Sequence, residues 1–351
     1  MADLRFAIIG AGNIAGVHAQ AIDEVDGAVL VAVSDAGSGR GRPLADRYGA
    51  RYLADAAEAC ADEGVDAVIV ATPSGRHADA VIAAAEHGKH ALVEKPLDVT
   101  LARCDAMVRA ADEHGTVLAG VFQNRFAPGV VRTREAVRAG RLGRLVLANG
   151  LVPWHRPAAY YREGAWRGTW QLDGGGALMN QGIHTVDLLL HLAGPVTRVS
   201  AHTDHRVHAI ETEDTAAAAL GFENGAFGAL QATTASWPGA PARVELYGDE
   251  GSIVLEDGRI TLWRLRDADA AEEGAMLRLE EPAGSGSADP MAIGVDRHRH
   301  QLEDFVRAVR ERHEPAVPGT EARRAVELVL AVYASARDGS RASLPLPAAG
   351  A

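Results

Sequence analysis

Lys95 stands in the segment Val-Glu-Lys-Pro, at the end of an apolar run that is typical of a buried parallel strand. In a doubly wound α/β domain, ligands bind at the carboxyl ends of the strands, so a lysine there is expected to face them. An ammonium group at this place can stabilise negative charge on a substrate oxygen. Most lysines are exposed and uninvolved. The position of Lys95 nevertheless makes it a candidate catalytic residue.

A second candidate lies in the segment GGGALMNQGIHTVD, where three glycines precede a helix predicted over residues 177–192. Asn180, His184 and Asp187 are spaced i, i+4 and i+7, which places them on one helical face. Imidazole has an ordinary pKa of about 6.5, which suits a general base near neutral pH. A histidine satisfied inside a core is the alternative, and the spacing alone favours neither.

Residues 10–15 read Gly-Ala-Gly-Asn-Ile-Ala, directly after an apolar run and at the start of a predicted helix. This pattern matches the dinucleotide-binding loop, in which the first glycine allows the tight turn and the second lets a pyrophosphate approach the backbone. The helix N-terminus adds partial positive charge for the phosphates. We therefore predict a dinucleotide site here.

Asp35 follows the second glycine by 23 residues, at the end of the next predicted strand. An acidic side chain at this place binds the ribose hydroxyls of the adenosine and repels a 2′-phosphate, which favours NAD over NADP. Ser38, Arg40 and Arg42 could instead accept a 2′-phosphate, or they could form a solvated basic turn.

Short apolar runs alternate with alanine-rich helical segments through the first third of the chain. This succession predicts a doubly wound parallel sheet of the Rossmann type. Thr72, Pro73 and His77 follow one of its strands and are expected on the nicotinamide side. The predicted strands cover residues 4–10, 28–35, 65–73, 90–96 and 116–124, and the predicted helices cover residues 13–25, 78–87 and 101–114.

Past residue 125 the pattern changes to strands separated by turn signals, which predicts a large open, mainly antiparallel sheet. We predict a nucleotide-binding domain over residues 1–124 and a substrate-binding and oligomerisation α/β domain over residues 125–351. A loop is expected over residues 282–290. Closing helices are expected near residues 298–312 and 320–337, where they can pack back on the first domain.

The net charge of −12 argues against nucleic acid and anionic membranes as partners, because both reward basic surfaces. No apolar run is long enough for a membrane span, and no signal-peptide pattern is present. Cys60 and Cys104 have no metal or redox spacing, so we expect a cytoplasmic protein.

These motifs together resemble the Gfo/Idh/MocA family of oxidoreductases over nearly the whole chain. The resemblance rests on the glycine loop, Asp35, ATPSGRHAD, VEKPL, Asn-Arg-Phe at 124–126 and GGGALMNQGIHTVDLL. It implies Lys95 and His184 as the catalytic pair and a homodimer or homotetramer built through the C-terminal sheet. Many polyol-oxidising members have aspartate where this chain has Asn180, which weakens a strict inositol dehydrogenase assignment.

The expected activity is the reversible oxidation of a secondary hydroxyl of a cyclic polyol or sugar by hydride transfer to NAD, without a metal. The residues expected to contact the cofactor are Gly10, Gly12, Asn13, Ile14, Asp35, Arg40, Thr72, Pro73, His77, Glu94 and Lys95. Those expected to contact the substrate are Gln123, Arg125, Trp154, His155, Arg156, Tyr160, Tyr161, Arg167, Asn180 and His184.

Three alternatives stay open. A nucleotide-sugar dehydrogenase or ketoreductase could use Arg156, Arg162 and Arg167 for a diphosphate, and an enzyme acting on unsaturated cyclic compounds is a further variant. A non-catalytic NAD-binding regulatory protein needs neither catalytic residue. A zinc enzyme is disfavoured, because its candidate ligands lack acidic or cysteine support; they are His202, His205 and His208, or His298 and His300.

Overall fold

The computed structural model describes residues 2–164, 166–279 and 294–347, so the loop predicted over residues 282–290 lies outside the described residues. The chain divides into two compact units. The first comprises Met1–Gln123 and Ile293–Arg323, and the second comprises Asn124–Ala292 and Arg324–Ala351. None of the described helices is long and apolar enough to cross a membrane.

Strands and helices alternate from β1 to β6 in the first unit, and the second unit is richer in strands. The strands are β1 (Leu4–Ile9), β2 (Ala28–Ser34), β3 (Arg51–Leu53), β4 (Ala67–Val70), β5 (His90–Val93), β6 (Leu118–Gly120), β7 (Leu145–Pro153), β8 (Val196–Asp204), β9 (Thr215–Phe222), β10 (Phe227–Thr233), β11 (Arg243–Gly248), β12 (Gly251–Glu256), β13 (Arg259–Leu265) and β14 (Ala342–Ser343). The helices are α1 (Asn13–Glu24), α2 (Gly41–Arg47), α3 (Ala56–Ala61), α4 (His77–Glu86), α5 (Leu101–His114), α6 (Pro128–Arg138), α7 (Ala158–Arg162), α8 (Ile183–Ala193), α9 (Ala270–Leu277), α10 (Asp296–Glu311) and α11 (Gly319–Asp338).

The first unit contains a six-stranded parallel sheet in the order β3-β2-β1-β4-β5-β6. This order confirms the predicted Rossmann topology. Strands β1 and β4 are buried at their carboxyl ends because helices cover both faces, which explains their continuous apolar runs. Helix α10 belongs to this unit, and its Phe305 contacts Phe6 of β1 with a ring separation of 6.1 Å.

The second unit contains an eight-stranded sheet in the order β13-β12-β11-β7-β10-β9-β8-β14. Only the β7–β10 pair is parallel among these described strands, which confirms a mainly antiparallel sheet. The predicted turn signals lie at the β9–β10, β11–β12 and β12–β13 connections. A Cβ at Gly150 of β7 would approach Thr185 and Leu189, so helix α8 packs on one face of the sheet.

The helix predicted over residues 177–192 differs from the observed one at its start. Residues Ala177–Gly182 form a π-helix, and the α-helical part begins at Ile183. The amide nitrogen of Ala177 donates to the carbonyl oxygen of Glu213 at 3.0 Å, and the carboxylate of Glu213 accepts from Gly176 and Leu178. These bonds satisfy backbone amides at the start of the helix, which have no partner within it. Helical turns of the π type are frequent at functional sites.

Candidate functional site

The glycine loop joins β1 to α1 in the first unit. Gly10 has φ +99°, and a Cβ there would lie 2.6 Å from the carbonyl oxygen of Ala71, so no other residue fits. A Cβ at Gly12 would meet no described protein atom closer than 3.9 Å. The space beside Gly12 is therefore open to a ligand. Because no side chain caps α1 among the described residues, its N-terminal amides suit a pyrophosphate.

Asp35 lies past the end of β2 and is nearly buried. Its Oδ2 accepts from the Ser38 hydroxyl at 2.8 Å and from the Gly41 amide at 3.2 Å. Burial alone would raise the pKa of this carboxyl, but the hydrogen bonds outweigh it and lower the pKa below its usual range. Asp35 is therefore a carboxylate at neutral pH, which suits a ribose diol and opposes a 2′-phosphate.

Arg40 lies beside this carboxylate, on the same turn. Its Nη1 is 3.5 Å from Oδ1 of Asn13, the first residue of α1, and its Nε is 3.4 Å from Oγ of Ser38. The guanidinium thus stands between the glycine loop and the Asp35 turn. It can face the phosphates of a dinucleotide without a 2′-phosphate being present.

Two buried oxygen atoms follow the carboxyl ends of β4 and β6. The Oγ1 of Thr72 and the Oε1 of Gln123 have no hydrogen-bond partner among the described residues. A buried polar atom is normally paired, so such atoms mark places where a ligand or water completes the bonding. Both residues were predicted to contact ligands, and their unpaired atoms fit the amide end of a nicotinamide cofactor.

The side chain of His77 is directed into the protein, although it was predicted to contact the cofactor. It is buried, and its Nδ1 lies 3.0 Å from the carbonyl oxygen of Pro96 while its Nε2 lies 2.9 Å from that of Thr72. Each ring nitrogen therefore faces a backbone carbonyl oxygen inside the first unit. The ring braces the turn after Lys95 against the end of β4, and its contact with the cofactor stays a prediction.

Glu94 is likewise a bracing residue in the first unit. Its Oε1 lies 2.8 Å from Nε2 of His18, and its Oε2 accepts the backbone N–H of Lys95 at 3.1 Å. Both oxygens have protein partners and the side chain is buried, and its contact with the cofactor stays a prediction. Neither His18 nor His298, whose ring packs edge-on against His18 at 5.4 Å, was singled out as a neighbour from the sequence.

Lys95 lies two residues past the end of β5 and is half-buried. It is one of two lysines in the chain. The other, Lys89, donates from Nζ to the carbonyl oxygens of Asp62 and Val65 at 2.9 and 2.8 Å. Lys89 therefore has a structural task, and Lys95 stands at the ligand-binding edge of the sheet.

In the second unit, Asn180 belongs to a chain of buried hydrogen bonds. Its Nδ2 donates to Oδ1 of Asp173 at 2.5 Å, and its Oδ1 accepts from Nε2 of Gln181 at 2.9 Å. The Oε1 of Gln181 accepts from Nε of Arg156 at 2.9 Å. Asp173 and Gln181 were not predicted as site residues, because a lone aspartate before a glycine run and a helix glutamine have no local signature.

Arg156 was predicted to contact substrate, but its side chain is fully enclosed, with 1% exposure. The guanidinium lies 4.9 Å from the ring of Trp154 and 5.8 Å from that of Tyr160. A cation held between aromatic faces and a hydrogen-bonded amide is well stabilised. The guanidinium is thus held by its neighbours in the second unit, and its contact with substrate stays a prediction.

Arg125 was also predicted to contact substrate. It is buried and binds Asp187 through two bonds, with Nε–Oδ2 and Nη2–Oδ1 distances of 2.8 and 2.6 Å. A buried bidentate pair of this kind orients the two elements that carry it. Arg125 thus fixes α8 within its own unit, and its contact with substrate stays a prediction.

The buried donors of Trp154 and Arg167 remain available for a ligand. The Nε1 of Trp154 and the Nε of Arg167 have no hydrogen-bond partner among the described residues. Arg167 also stacks 4.2 Å from the ring of Tyr160. Aromatic faces next to unpaired N–H groups match the apolar ring faces and hydroxyl oxygens of a sugar or cyclitol.

Tyr161 contacts Thr234 and His208 in the second unit. Its hydroxyl lies 2.8 Å from Oγ1 of Thr234, and its ring lies 4.8 Å from that of His208. The carbonyl oxygen of Thr234 is 3.2 Å from Nε2 of His208. Within the part of the chain that the structure describes, no three His, Cys, Asp or Glu side chains are placed to hold a metal ion.

His184 is the second residue of α8 and is half-buried. The helix that carries it is anchored at its start by Glu213, whose Oε1 also accepts from the hydroxyl of Tyr333 at 2.8 Å. Burial raises the pKa of Glu213, even though hydrogen bonds from Leu178, Tyr333 and Gly176 oppose the rise. The start of the helix is thus held by a residue 29 positions past His184, which no local pattern indicates.

Two family models match this chain. One, described as an oxidoreductase family with an NAD-binding Rossmann fold, matches residues 4–122. The other, described as the GFO/IDH/MocA C-terminal domain, matches residues 130–254. The first match identifies the first unit as an NAD-binding domain, in agreement with the glycine loop and Asp35.

Individual proteins are similar over nearly the full length. The chain is 27% identical to myo-inositol 2-dehydrogenase of Thermotoga maritima, covering 93% of this chain and 94% of the relative. The structure of the WlbA dehydrogenase from Bordetella pertussis, in complex with NADH and UDP-GlcNAcA, superimposes with a TM-score of 0.88 at 32% identity, covering 98% of this chain and 100% of that one. A levoglucosan dehydrogenase in complex with NADH and levoglucosan has a TM-score of 0.84 at 23% identity, covering 98% and 99%, and supports the fold alone.

Proposed function

Because the chain belongs to the GFO/IDH/MocA family of NAD-binding oxidoreductases, we propose that it oxidises a secondary hydroxyl of a cyclic polyol or sugar, reversibly, with NAD as hydride acceptor. The protein is an NAD-dependent dehydrogenase acting on CH–OH groups. The bound nicotinamide supplies the hydride chemistry. The residues that fit the cofactor are the glycine loop, the Asp35 turn, Thr72 and Gln123.

Two side chains carry the chemistry of this proposal. His184 takes the proton from the substrate hydroxyl, and Lys95 stabilises the negative charge that develops on that oxygen. Glu94 holds the backbone N–H of Lys95 at 3.1 Å, which orients the lysine without contacting substrate. Asn180 precedes His184 by one helical turn and orients the hydroxyl.

The substrate class is supported by one observation in the second unit. Buried N–H donors of Trp154 and Arg167 lie among aromatic rings and have no partner among the described residues. A polyol or sugar offers both the oxygen acceptors and the apolar C–H faces that such a wall binds. Inositols, anhydrosugars and aldoses are therefore the first compounds to test.

The catalytic assignment is tested by Lys95→Ala and His184→Ala. Each should lower kcat about a hundredfold or more while NADH binding, measured by fluorescence, is retained. Lys89→Met is the matched control, because Lys89 binds only backbone carbonyls in the contacts above and should leave kcat near the wild-type value. Near-wild-type rates for either alanine variant contradict the assignment.

A nucleotide sugar is the second candidate substrate. The WlbA dehydrogenase, solved with UDP-GlcNAcA, is 32% identical over 98% of this chain. Arg156 is enclosed, so Arg162, which is exposed, and Arg167 are the cations left to meet a diphosphate. A screen of NADH formation with free inositols and sugars against UDP-hexoses and UDP-hexuronates decides between them. Turnover confined to UDP-linked compounds overturns the first proposal.

We also propose that the protein is a cytoplasmic homo-oligomer assembled through the large sheet. Leu147 of β7 and Phe227 of β10 are exposed apolar residues that pair with each other in the sheet. Exposed apolar side chains that adjoin one another are typical of subunit interfaces. Light scattering of Phe227→Lys tests this: a smaller particle than wild type supports the interface, and an unchanged mass contradicts it.

A further inference from the structure

Asp173 and Arg156 are the two ends of the buried hydrogen-bond chain that includes Asn180 and Gln181. Both ends are 1% exposed. An ionised aspartate can only accept hydrogen bonds, whereas a guanidinium can only donate them. The two amides between them can point in either direction in principle, so the charged ends decide which direction is taken.

The direction is determined step by step from Arg156. Its Nε–H must meet an acceptor, so Oε1 of Gln181 faces it. The Nε2 of Gln181 is then left to donate, and it does so to the Tyr160 hydroxyl at 2.8 Å and to Oδ1 of Asn180 at 2.9 Å. Asn180 must then present its Nδ2 to Asp173, and it does so at 2.5 Å. A reversed amide at either position would set two donors against each other.

Asp173 has a second contact that holds it in place. Its Oδ2 accepts the backbone N–H of Gly168 at 2.8 Å. Gly168 directly follows Arg167 in the chain, so the same carboxylate connects the turn after Arg167 to the helix that carries Asn180. Since a backbone N–H cannot become an acceptor, both oxygens of residue 173 must accept in the native arrangement.

We propose that Asp173 is a positioning residue. Together with Arg156 it orients the side-chain amides of Gln181 and Asn180 in one direction, and it thereby fixes the position of the Asn180 side chain relative to His184. The inference rests on the proposed function in so far as Asn180 and His184 belong to the substrate site. Asp173 acts through Asn180 and contacts no substrate itself. An aspartate at position 180 is incompatible with Asp173 in this chain, since two carboxylates would meet where one amide hydrogen now lies.

The test is a reciprocal exchange of acid and amide. Asp173→Asn places an NH₂ group against the NH₂ group of Asn180, and Asn180→Asp places two carboxylates together. In the double variant Asp173→Asn/Asn180→Asp, residue 173 donates to residue 180 and still accepts from Gly168, so the bonds described above are restored. We expect kcat/KM for the substrate to fall about tenfold or more in each single variant and to return to within about threefold of wild type in the double variant.

Asn149 offers a matched control in the same unit. Its Nδ2 donates to Oε2 of Glu245 at 3.1 Å, and its Oδ1 accepts from the backbone N–H of Ala229 at 3.0 Å. Asn149→Asp creates the same kind of carboxylate conflict outside the proposed site. It should lower the Tm and leave kcat/KM unchanged.

Two measurements separate the possible failures. A double-mutant cycle of Tm values tests the hydrogen-bond chain without using activity, and losses that add in the double variant overturn the proposal. Recovery of Tm without recovery of kcat/KM overturns its role in catalysis. Wild-type rates in His184→Ala contradict the proposed function instead, and the Tm cycle still reports on Asp173.

Discussion

The Nε2 of His18 lies 2.8 Å from Oε1 of Glu94, and this buried pair joins the helix after the glycine loop to the residue before Lys95. Removing one partner of a buried pair leaves an uncompensated polar group, which costs more than the pair itself contributes. The cofactor loop and the candidate catalytic lysine are therefore mechanically linked within one unit. The pair also has a consequence for stability at low pH.

Glu94→Gln should make the protein less sensitive to acid between pH 4.5 and about 2. Burial alone would raise the pKa of Glu94, but the hydrogen bond and charge of His18 outweigh it and lower the pKa from 4.5 to about 2. A carboxyl whose pKa is lowered on folding stabilises the native state above its unfolded pKa and loses this contribution as the pH falls through the window. Urea unfolding of wild type and Glu94→Gln at several pH values measures the difference. Parallel stability curves contradict the prediction.

His298→Gln should remove part of the loss of stability that occurs as the pH falls from 6.5 to about 4, which lies mostly above the range in which Glu94 acts. Burial, with the nearby charge of His18, lowers the pKa of His298 from 6.5 to about 4. The unfolded chain takes up this proton first, so the native state loses stability as the pH falls from 6.5 toward 4. Thermal unfolding across this range should show a shallower slope for the variant. His313→Gln, at an exposed position, is the control and should follow wild type.

Asp35→Ser should shift the cofactor preference toward NADP, because it removes the carboxylate that opposes a 2′-phosphate and leaves Ser38 and Arg40 beside the vacated place. We expect the ratio of kcat/KM for NADP to that for NAD to rise by about tenfold or more, as expected when a like-charge contact is removed. Adding Arg40→Ala should abolish most of the gain. An unchanged ratio in the single variant contradicts the role given to Asp35.

Asp187→Ala should destabilise the second unit strongly. It leaves the guanidinium of Arg125 buried without its bidentate partner, which costs about 3–5 kcal/mol of unfolding free energy. Arg132→Ala breaks an exposed pair with Glu135 at 2.8 Å in the same unit and should cost less than about 1 kcal/mol. Urea unfolding of both variants measures the contrast. Equal losses would contradict the assignment of Asp187 and Arg125 as a buried structural pair.

Much of the fold could be predicted because its signals are local. Continuous apolar runs separated by helical segments are sufficient for a parallel sheet with covered faces, and Asn-Gly and Asp-Gly turns mark the antiparallel sheet. The short strand β3 and the helices α2, α3, α7 and α9 were not singled out, since segments of this length have weak patterns. The π-helical start of the Asn180 helix was not predicted, and neither were the bonds from its first amides to Glu213, because Glu213 lies far along the chain.

The sequence indicated which segments contribute to the candidate site, but it did not indicate the role of each side chain in them. Sequence motifs singled out the glycine loop, Asp35, Lys95 and His184 as candidates, because their chemistry follows from residue type and from position at a strand or helix end. Arg125 and Arg156 have the right residue type for binding a polar ligand, yet both side chains are enclosed and bound to other residues.

The sequence by itself determined that this chain forms a dinucleotide-binding sheet and an open second sheet, because backbone preferences and apolar periodicity act between near neighbours. Only the tertiary structure decided which polar side chains are enclosed and which keep unpaired donors. That decision depends on contacts between residues far apart in the chain, such as Arg125 with Asp187 and Asp173 with Gly168 and Asn180. Burial makes those contacts strong, and burial is a property of the packed chain as a whole.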